Sequence, residues 1–540
     1  MGKLDSGTER PTEPPCDILT PMPKTSSLTT FAALTIALGG TALAQTATTN
    51  AALNANDWPM YAHNYASTRY SPLTEITPAN VSNLKQICSY ALPDATATFE
   101  SSLVEIGGML YFTSPTSTYA IDASTCALKW SEKHEMPGNP GTVRGVAIEG
   151  RRVFRGFRDG NVIAYDTSNG EQLWSTKLTA PDGRVALVAL SPLAANGVVY
   201  VGTSGAENNC ACFVAALDAA TGKVLWTFNT VPGAGQKGSE TWPKGVTPGG
   251  GSMWSSLTLD VESNTLYFST GNPGFDFADK YRPGANLYTN SVVALDAKTG
   301  TLRKYYQTVP HDYHDWDLTS APVVLNTKGK QKRVMVAGKD GFLISIDPKA
   351  EKITWKTPVT TIFNVDAPLT PQGTRFCPGT AGGSQWNGPA YSPATNLVYV
   401  NAVDRCSTVK DDPEYDGKKN MLGSANAFGD KDEISVGWVT AIDADSGAVK
   451  WKFKAAAPMV AGIAVTASGV LFTADLAADF MAFDAASGKL LESIKLGQPT
   501  GGGVITYSAG GKQKVAVATG LEDFIMGTHG KPAVVVLGLP

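Results

Sequence analysis

Four short stretches of the chain hold side chains from which a reaction centre could be built. Thr203-Ser-Gly-Ala-Glu207 ends an apolar run in small residues and a carboxylate. Gly250-Gly-Ser-Met-Trp254 delivers an indole after a glycine run. Ser269-Thr-Gly-Asn272 closes another apolar run on an amide, and Pro310-His-Asp-Tyr-His-Asp-Trp-Asp317 holds three aspartates and two of the chain's five histidines. Glu207, Asn272 and the aspartates offer only oxygen. Carboxylates with an amide suit a hard cation such as Ca²⁺. His311 and His314 would also suit a transition metal, although paired loop histidines more often serve as hydrogen-bonding residues. A flat Trp254 can stack beneath a planar group, and the glycines beside it let such a group approach the backbone.

Residues of this kind need a rigid frame, and one repeated phrase supplies it. It reads Ala120-Ile-Asp-Ala-Ser-Thr-Cys-Ala-Leu-Lys-Trp130, then Ala164-Tyr-Asp-Thr-Ser-Asn-Gly-Glu-Gln-Leu-Trp174, and returns ending at Trp226, Lys304, Trp355, Trp451 and Glu492. The aspartate opens a turn by bonding its own backbone, and the glycine supplies a positive φ. Apolar residues before the aspartate and the tryptophan after the turn mark flanking strands. Cys126 and Glu351 stand where two copies lack the glycine. The turn aspartates are 122, 166, 218, 296, 347, 443 and 484, spaced by 41–52 residues except for gaps of 78 and 96. That period predicts a β-propeller of four-stranded blades. The long gaps hold a loop over 272–290 and an insertion-bearing blade that includes 391–400. Seven phrases give seven blades. Strands near 504–507, 515–518 and 533–537 need a partner from the N-terminal segment 58–92, which makes eight blades and leaves no free edge. The predicted class is all-β. The blade-end tryptophans Trp130, Trp174, Trp226, Trp355 and Trp451 are expected to be buried between neighbouring blades.

Composition agrees. Of 540 residues, 43% are hydrophobic and 17% charged, against about 25% charged in an average soluble protein. Disorder needs the opposite balance. The 55 glycines and 33 prolines follow no Gly-X-Y period, which excludes collagen. A net charge of −4 without a basic cluster argues against nucleic acid as a partner.

The apolar, uncharged run over 30–44 follows Lys24 and ends Ala42-Leu43-Ala44. It reads as a secretory signal peptide, too short for a spanning helix. Residues 1–21 form a polar extension ahead of it, and Met22 would make a conventional start. The predicted organisation is an extension and signal over 1–44 and a single propeller domain over 45–540. Of seven cysteines, Cys16 precedes the cleavage point and six remain, which in an exported protein suggests disulfides. No zinc-type spacing and no C-x-x-C-H haem site occurs. Cys210 and Cys212 are too close for an ordinary inter-strand bridge. They form a strained ring or pair elsewhere.

From Asp57 to the C-terminus the chain resembles the pyrroloquinoline quinone (PQQ)-dependent alcohol dehydrogenases, eight-bladed quinoprotein propellers. Trp58-Pro59, Thr68-Arg-Tyr-Ser-Pro-Leu73 and Ile76-Thr-x-x-Asn80-Val81 are close to the family's opening motif, and the repeated phrase is its blade-docking motif. The resemblance implies that Glu207, Asn272 and the catalytic aspartate hold a metal. The family's base falls five residues after the proline of its Pro-His-Asp segment, which here is Asp315. Asp317 then stands where some members add a further metal ligand, as the lanthanide-using relatives do. Trp254 resembles the tryptophan that stacks on PQQ. Glu100, Arg144, Ser191, Lys339 and Gln385 resemble groups around the cofactor, with Lys339 near its reactive carbonyls. Cys377 and Cys406 resemble a disulfide of the methanol dehydrogenases.

Several positions depart from the pattern. Gly138 and Asn139 stand where many members carry adjacent cysteines over PQQ. Ala189 replaces a usual threonine, and His314 stands where a tryptophan usually precedes the base. The region around Met459 lacks a tryptophan. No fused haem domain is expected. The implied activity is oxidation of an alcohol to aldehyde or ketone, in the periplasm, with PQQ, Ca²⁺ (or a lanthanide) and an external acceptor such as a cytochrome c or quinone. Sugars, sugar alcohols and polymeric alcohols are the alternative substrates. A non-enzymatic outer-membrane assembly propeller is the alternative of a different class. Such propellers lack the Glu, Asn and Asp set and carry a cysteine after the signal.

Overall fold

The repeat phrase folds as a strand, a tight turn and a strand, and the turn chemistry is the expected one. In the second copy the Asp166 carboxylate accepts from the Ser168 amide at 2.8 Å, and the Gly170 amide closes on the Asp166 carbonyl at 2.9 Å. Gly170 has φ +78°, and Gly222, Gly300, Gly447 and Gly488 have φ between +70° and +75°. Cys126 and Glu351 adopt the same left-handed conformation, at +60° and +54°, where a side chain is disfavoured.

This computed structural model describes residues 54–540 except 94–97, 138–139, 181–182, 185, 207–209, 248, 417–421 and 427–434. The signal region, Gly138, Asn139 and Glu207 lie outside the described residues. Among those described, the strands form eight four-stranded antiparallel units, one of them extended by an additional parallel strand. The first blade is Val104–Ile106, Met109–Thr113, Ser117–Asp122 and Leu128–Lys133. The sixth is Ala390–Ser392, Leu397–Asp404, Val436–Asp443 and Val449–Ala455, the insertion-bearing blade. The eighth combines the two ends of the propeller: Lys85–Ala91 pairs with Ala533–Gly538, beside Lys512–Thr519 and Val504–Ala509. The eight-bladed all-β propeller is therefore the fold, closed as the sequence required.

Blades dock through the phrase itself. Trp130 lies on Gly170 of the next blade so closely that a Cβ there would fall 2.8 Å from the ring. Trp174 on Gly222, Trp226 on Gly300, Trp355 on Gly447 and Trp451 on Gly488 repeat the contact, with corresponding separations of 2.5–2.7 Å. The indole nitrogens of Trp130, Trp174 and Trp451 donate to backbone carbonyls of the neighbouring blade. Trp130 is buried, but the other four are only half-buried. The expected place between neighbouring blades holds for all five, while the expected burial is corrected to partial for four of them. Where the phrase is irregular, another bond replaces this one. Lys304, in place of a tryptophan, pairs with Glu351, in place of a glycine. Cys126, also in place of a glycine, is bonded to Cys88 of the eighth blade. Cys377–Cys406 and Cys210–Cys212 are the other two disulfides among the described residues. The C-x-C pair therefore closes on itself.

Of the N-terminal segment, only Lys85–Ala91 forms a strand of the eighth blade. The part before it threads the ring. Backbone carbonyls of Asn56, Tyr65, Ala66, Thr68 and Arg69 accept from Ser508, Leu259, Val324, Tyr391 and Val465, which lie on first strands of blades eight, four, five, six and seven. Trp58 pairs with Glu105 of the first blade. One strap thus ties six of eight blades to each other, and Trp58, Tyr61 and Arg69 are all buried on it.

Candidate functional site

A cavity of about 470 Å³ opens at one end of the ring, lined by residues from widely separated parts of the chain. Glu100, Arg144, Trp254, Asp315, Asp317, Lys339 and Gln385 all line it. Seven of the ten residues singled out from the sequence therefore meet in one place. Asn272 lies directly behind the wall: its amide donates to Asp317 Oδ1 at 3.0 Å and its side-chain nitrogen to Asp276 Oδ1 at 2.8 Å. Glu207 lies outside the described residues, while Ser204 and Gly205 before it line the cavity. Ser191 does not line the cavity: it is fully buried, and its hydroxyl donates to the Val146 carbonyl at 2.9 Å. Ala189 takes the lining position two residues earlier.

The three aspartates of the fourth stretch separate by geometry. Asp312 is buried, and its carboxylate accepts the backbone amides of His314 at 2.9 Å and Trp316 at 2.8 Å. Burial would raise its pKa, but the His314 contacts and the Trp316 amide hold it below the usual carboxylate range. Those two amides flank Asp315, which is bent into the left-handed region at φ +61°. A non-glycine residue held there costs of order 1–3 kcal/mol and needs its surroundings to enforce it. The bend delivers Asp315 to the cavity, and Asp317 follows it there. His314 is stacked on Trp316 at 3.9 Å and faces Phe376 edge-on, so it forms the packed back of the loop.

Two cations organise the interior. Lys339 Nζ lies 3.2 Å from Asp315 Oδ2 and 2.7 Å from Asp317 Oδ2. Burial alone would lower its pKa, but the two carboxylates raise it above the ordinary lysine value, so the ammonium is charged. Arg144 pairs with Glu100, donates to the Trp254 carbonyl at 2.9 Å and lies 4.8 Å from the Trp254 ring and 5.2 Å from the Trp386 ring. Burial pushes Glu100 up to about 7, against the pull of Arg144. The Lys339 ammonium is 5.6 Å from the face of the same Trp254. Two indoles and two cations thus bound a slot suited to a flat, anionic molecule.

Other lining residues carried no clear signal in the sequence. Asp276 was within reach of reading, four residues after Asn272 in the predicted loop. Trp386 is adjacent to Gln385 and is held by Tyr61 of the axial strap, whose hydroxyl donates to its carbonyl at 2.7 Å. Asp523, Phe524, Ile525 and Met526 form one wall from the last blade. No motif marks them. Only closure of the ring brings them beside Glu100.

The residues present fit PQQ and a hard cation. The slot offers ring faces and cations to a planar quinone acid. The neighbouring donors are all oxygen, from Asp315, Asp317, Asp276 and Asn272. Among the described residues no three His, Cys, Asp or Glu side chains already converge as a cage, but the candidate set counts an amide and the undescribed Glu207. Asp317 approaches Asn272 so closely that a Cβ on Gly271 would fall 2.1 Å from its Oδ1, so the glycine is what makes room.

Comparison with known proteins agrees with this geometry. Residues 58–350 match the family described as glucose/ethanol/alcohol dehydrogenase, beta-propeller domain. Residues 435–520 match the family of the outer membrane protein assembly factor BamB, a stretch that holds two copies of the blade phrase. The alcohol dehydrogenase (quinone), dehydrogenase subunit, of Gluconacetobacter polyoxogenes is 32% identical, over 88% of this chain and 73% of that protein. The quinohemoprotein alcohol dehydrogenase of Comamonas testosteroni is also 32% identical, over 86% and 72%. The crystal structure of the Comamonas enzyme superposes with a TM-score of 0.82 at 27% identity, over 90% of this chain and 80% of that one. A europium-containing methanol dehydrogenase superposes at 0.78 with 26% identity, over 90% and 98%. The propeller and its cavity define a quinoprotein oxidoreductase. The chain belongs to the family of PQQ-dependent alcohol dehydrogenases.

Proposed function

We propose that the protein oxidises an alcohol to an aldehyde or ketone in the periplasm, with PQQ in the slot against Trp254 and Ca²⁺ held by Glu207, Asn272, Asp315 and Asp317. The observation that carries this reading is the placement of Lys339 between Asp315 and Asp317, inside the cavity that Arg144 and Trp254 also line. When bound, PQQ supplies an electrophilic ortho-quinone carbonyl able to accept hydride, and the metal polarises it as a Lewis acid. Asp315 takes the hydroxyl proton of the alcohol on its carboxylate, a general-base step. Lys339, 3.2 Å from that carboxylate, places positive charge where oxyanion character develops. Arg144 and Glu100 orient the acidic cofactor, and Gln385 lines the slot beside it. No helix among the described residues is long and apolar enough to cross a membrane. The proposal of a signal over 1–44, cleaved ahead of the propeller domain over 45–540, puts the enzyme outside the cytoplasm, where an external cytochrome c or quinone receives the electrons.

Asp317 favours one competing reading of the metal, since an added carboxylate helps balance a trivalent charge. Both are tested together. Apo-protein is titrated with Ca²⁺ and with La³⁺ at saturating PQQ, and alcohol oxidation is followed with an electron-accepting dye. Activation by Ca²⁺ is expected. Activation by La³⁺ alone, abolished by Asp317→Ala, would replace calcium by a lanthanide. No activation by either would end the proposal.

A further inference from the structure

The loop that carries Asn272 and Asp276 and the loop that carries Asp315 and Asp317 come from different parts of the fourth and fifth blades. Their separation sets the size of any cation site between them, yet neither loop is part of a blade sheet. Besides the direct bond from the Asn272 backbone amide to Asp317, the two loops are clasped by Arg282. Its guanidinium is fully buried, at 0% exposure. Nε donates to the Phe275 carbonyl at 2.8 Å, Nη2 to the Asp276 carbonyl at 2.9 Å, and Nη1 to Asn286 Oδ1 at 3.1 Å. Nη2 also donates to the carbonyl of Asp312, the residue whose carboxylate bends the chain at Asp315. Asn286 returns a bond from its side chain to the Arg282 carbonyl at 3.0 Å.

This arrangement differs from that of an arginine buried for packing. A guanidinium presents its donors in one rigid fork, and here the fork spans both loops at once. Three of its acceptors are main-chain oxygens, so it fixes backbone positions rather than side-chain rotamers. Removing a charge from water costs several kcal/mol, and a surface seam would not need it. A second tie runs parallel to it at the surface: His311 contacts the Gly284 carbonyl at 3.0 Å and Asp279 at 3.1 Å. Arg155 offers the contrast within the same molecule. It is also fully buried and bonds the carbonyls of Ser114 and Pro115, but it joins the first two blades and does not line or back the cavity.

We infer that Arg282 is a positioning residue for the metal site: it sets the distance between the Asn272–Asp276 loop and the Asp312–Asp317 loop, and so the affinity of the site for its cation. The inference rests on the proposed metal reading. Residues that hold ligands in place from behind cost about 10–100-fold in metal affinity when lost. Arg282→Lys keeps a positive charge but gives up the fork.

The test measures cation affinity directly, by calorimetric titration of Ca²⁺ and La³⁺ into PQQ-loaded but metal-free protein, for wild type, Arg282→Lys, Arg282→Ala and Arg155→Lys. Circular dichroism and thermal unfolding accompany each. Arg282→Lys is expected to bind the cation at least about tenfold more weakly, and guanidinium ion added to Arg282→Ala is expected to restore part of the loss. Arg155→Lys is expected to lower thermal stability with unchanged cation affinity. Equal affinity in wild type and Arg282→Lys would overturn the inference. So would equal weakening in Arg282→Lys and Arg155→Lys, which would make the effect one of general stability. If Arg282→Ala does not fold, Arg282→Lys alone decides. If wild type itself binds neither cation, the metal reading fails, and the positioning role falls with it.

Discussion

Trp226 and Trp254 belong to one chain segment and do opposite work. Trp226 closes a repeat phrase and lies on Gly300 of the next blade, where its ring face is used up by packing. Trp254 stands outside the phrase, and its face looks onto a cavity with Arg144 at 4.8 Å and Lys339 at 5.6 Å. The first indole meets a residue without a side chain. The second meets charges with space between. The seams of this propeller are therefore built by matching shape, and the cavity by leaving matched charges around a gap. The lesson concerns cost. A seam is stable by itself, whereas Lys339 between two aspartates and Arg144 against Glu100 require the rest of the ring to hold them in place.

That contrast predicts separable effects. The largest is at the cavity. Asp315→Asn keeps the shape and loses the base, and turnover in the reconstituted enzyme should fall by about 10²–10⁴. Unfolding temperature should not fall, because Asp315 takes no part in a seam. Next is the seam. Trp130→Ala empties the most buried of the docking tryptophans and should cost about 3–5 kcal/mol in denaturant unfolding. Turnover of the surviving folded enzyme should stay near wild type, and a parallel loss of turnover would merge the two regions.

The axial strap gives a pH test. Glu105 is fully buried where the strap meets the first blade, and its pKa is pushed up to about 8 by burial, partly opposed by the Gly108 amide. The folded state then holds a proton that the unfolded chain releases near 4.5, so stability falls as pH rises between those values. Glu105→Gln should remove this contribution, so its stability relative to wild type should increase from pH 5 to pH 8. A constant difference between the two proteins would show that Glu105 does not titrate in that window. The smallest effect belongs to the irregular seam. Lys304 and Glu351 are both substantially exposed, and exposed pairs contribute about 0–1 kcal/mol. Lys304→Ala should therefore cost far less than Trp130→Ala, and less still at high salt.

Much of this was legible from residues alone. The turn aspartates and glycines announce the blades because each shapes a turn from its near neighbours by backbone bonds that any copy can make, and the tryptophans announce them because they recur at a fixed place in the phrase. Asp315, Asp317, Lys339, Trp254, Arg144, Glu100 and Gln385 were identified from motifs and line the cavity. Ser191 faces the Val146 carbonyl and not the cavity, because one residue type next to a motif does not say which way its side chain points. The burial of the docking tryptophans was overestimated for a related reason: the phrase gives the partner but not how near the rim the seam ends. The wall at 523–526 was invisible, since nothing local distinguishes Leu521–Gly530 from an ordinary turn.

The repeat, the number of blades and the meeting of the chain's ends are written in the order of residues alone. Those follow from short-range turn chemistry and from the need to leave no sheet edge unpaired. The placement of the carboxylates over 312–317 is set instead by long-range packing. Asp312, Asp315 and Asp317 are alike in type and nearly adjacent in sequence. One is turned inward to bond the His314 and Trp316 amides, and the other two are turned toward Lys339. The left-handed bend at Asp315 separates them, and the Asp312 bonds that flank it are braced from outside by Asn290 on the Trp316 carbonyl, Arg282 on the Asp312 carbonyl and Phe376 against Trp316, contacts that no reading of eight consecutive residues contains.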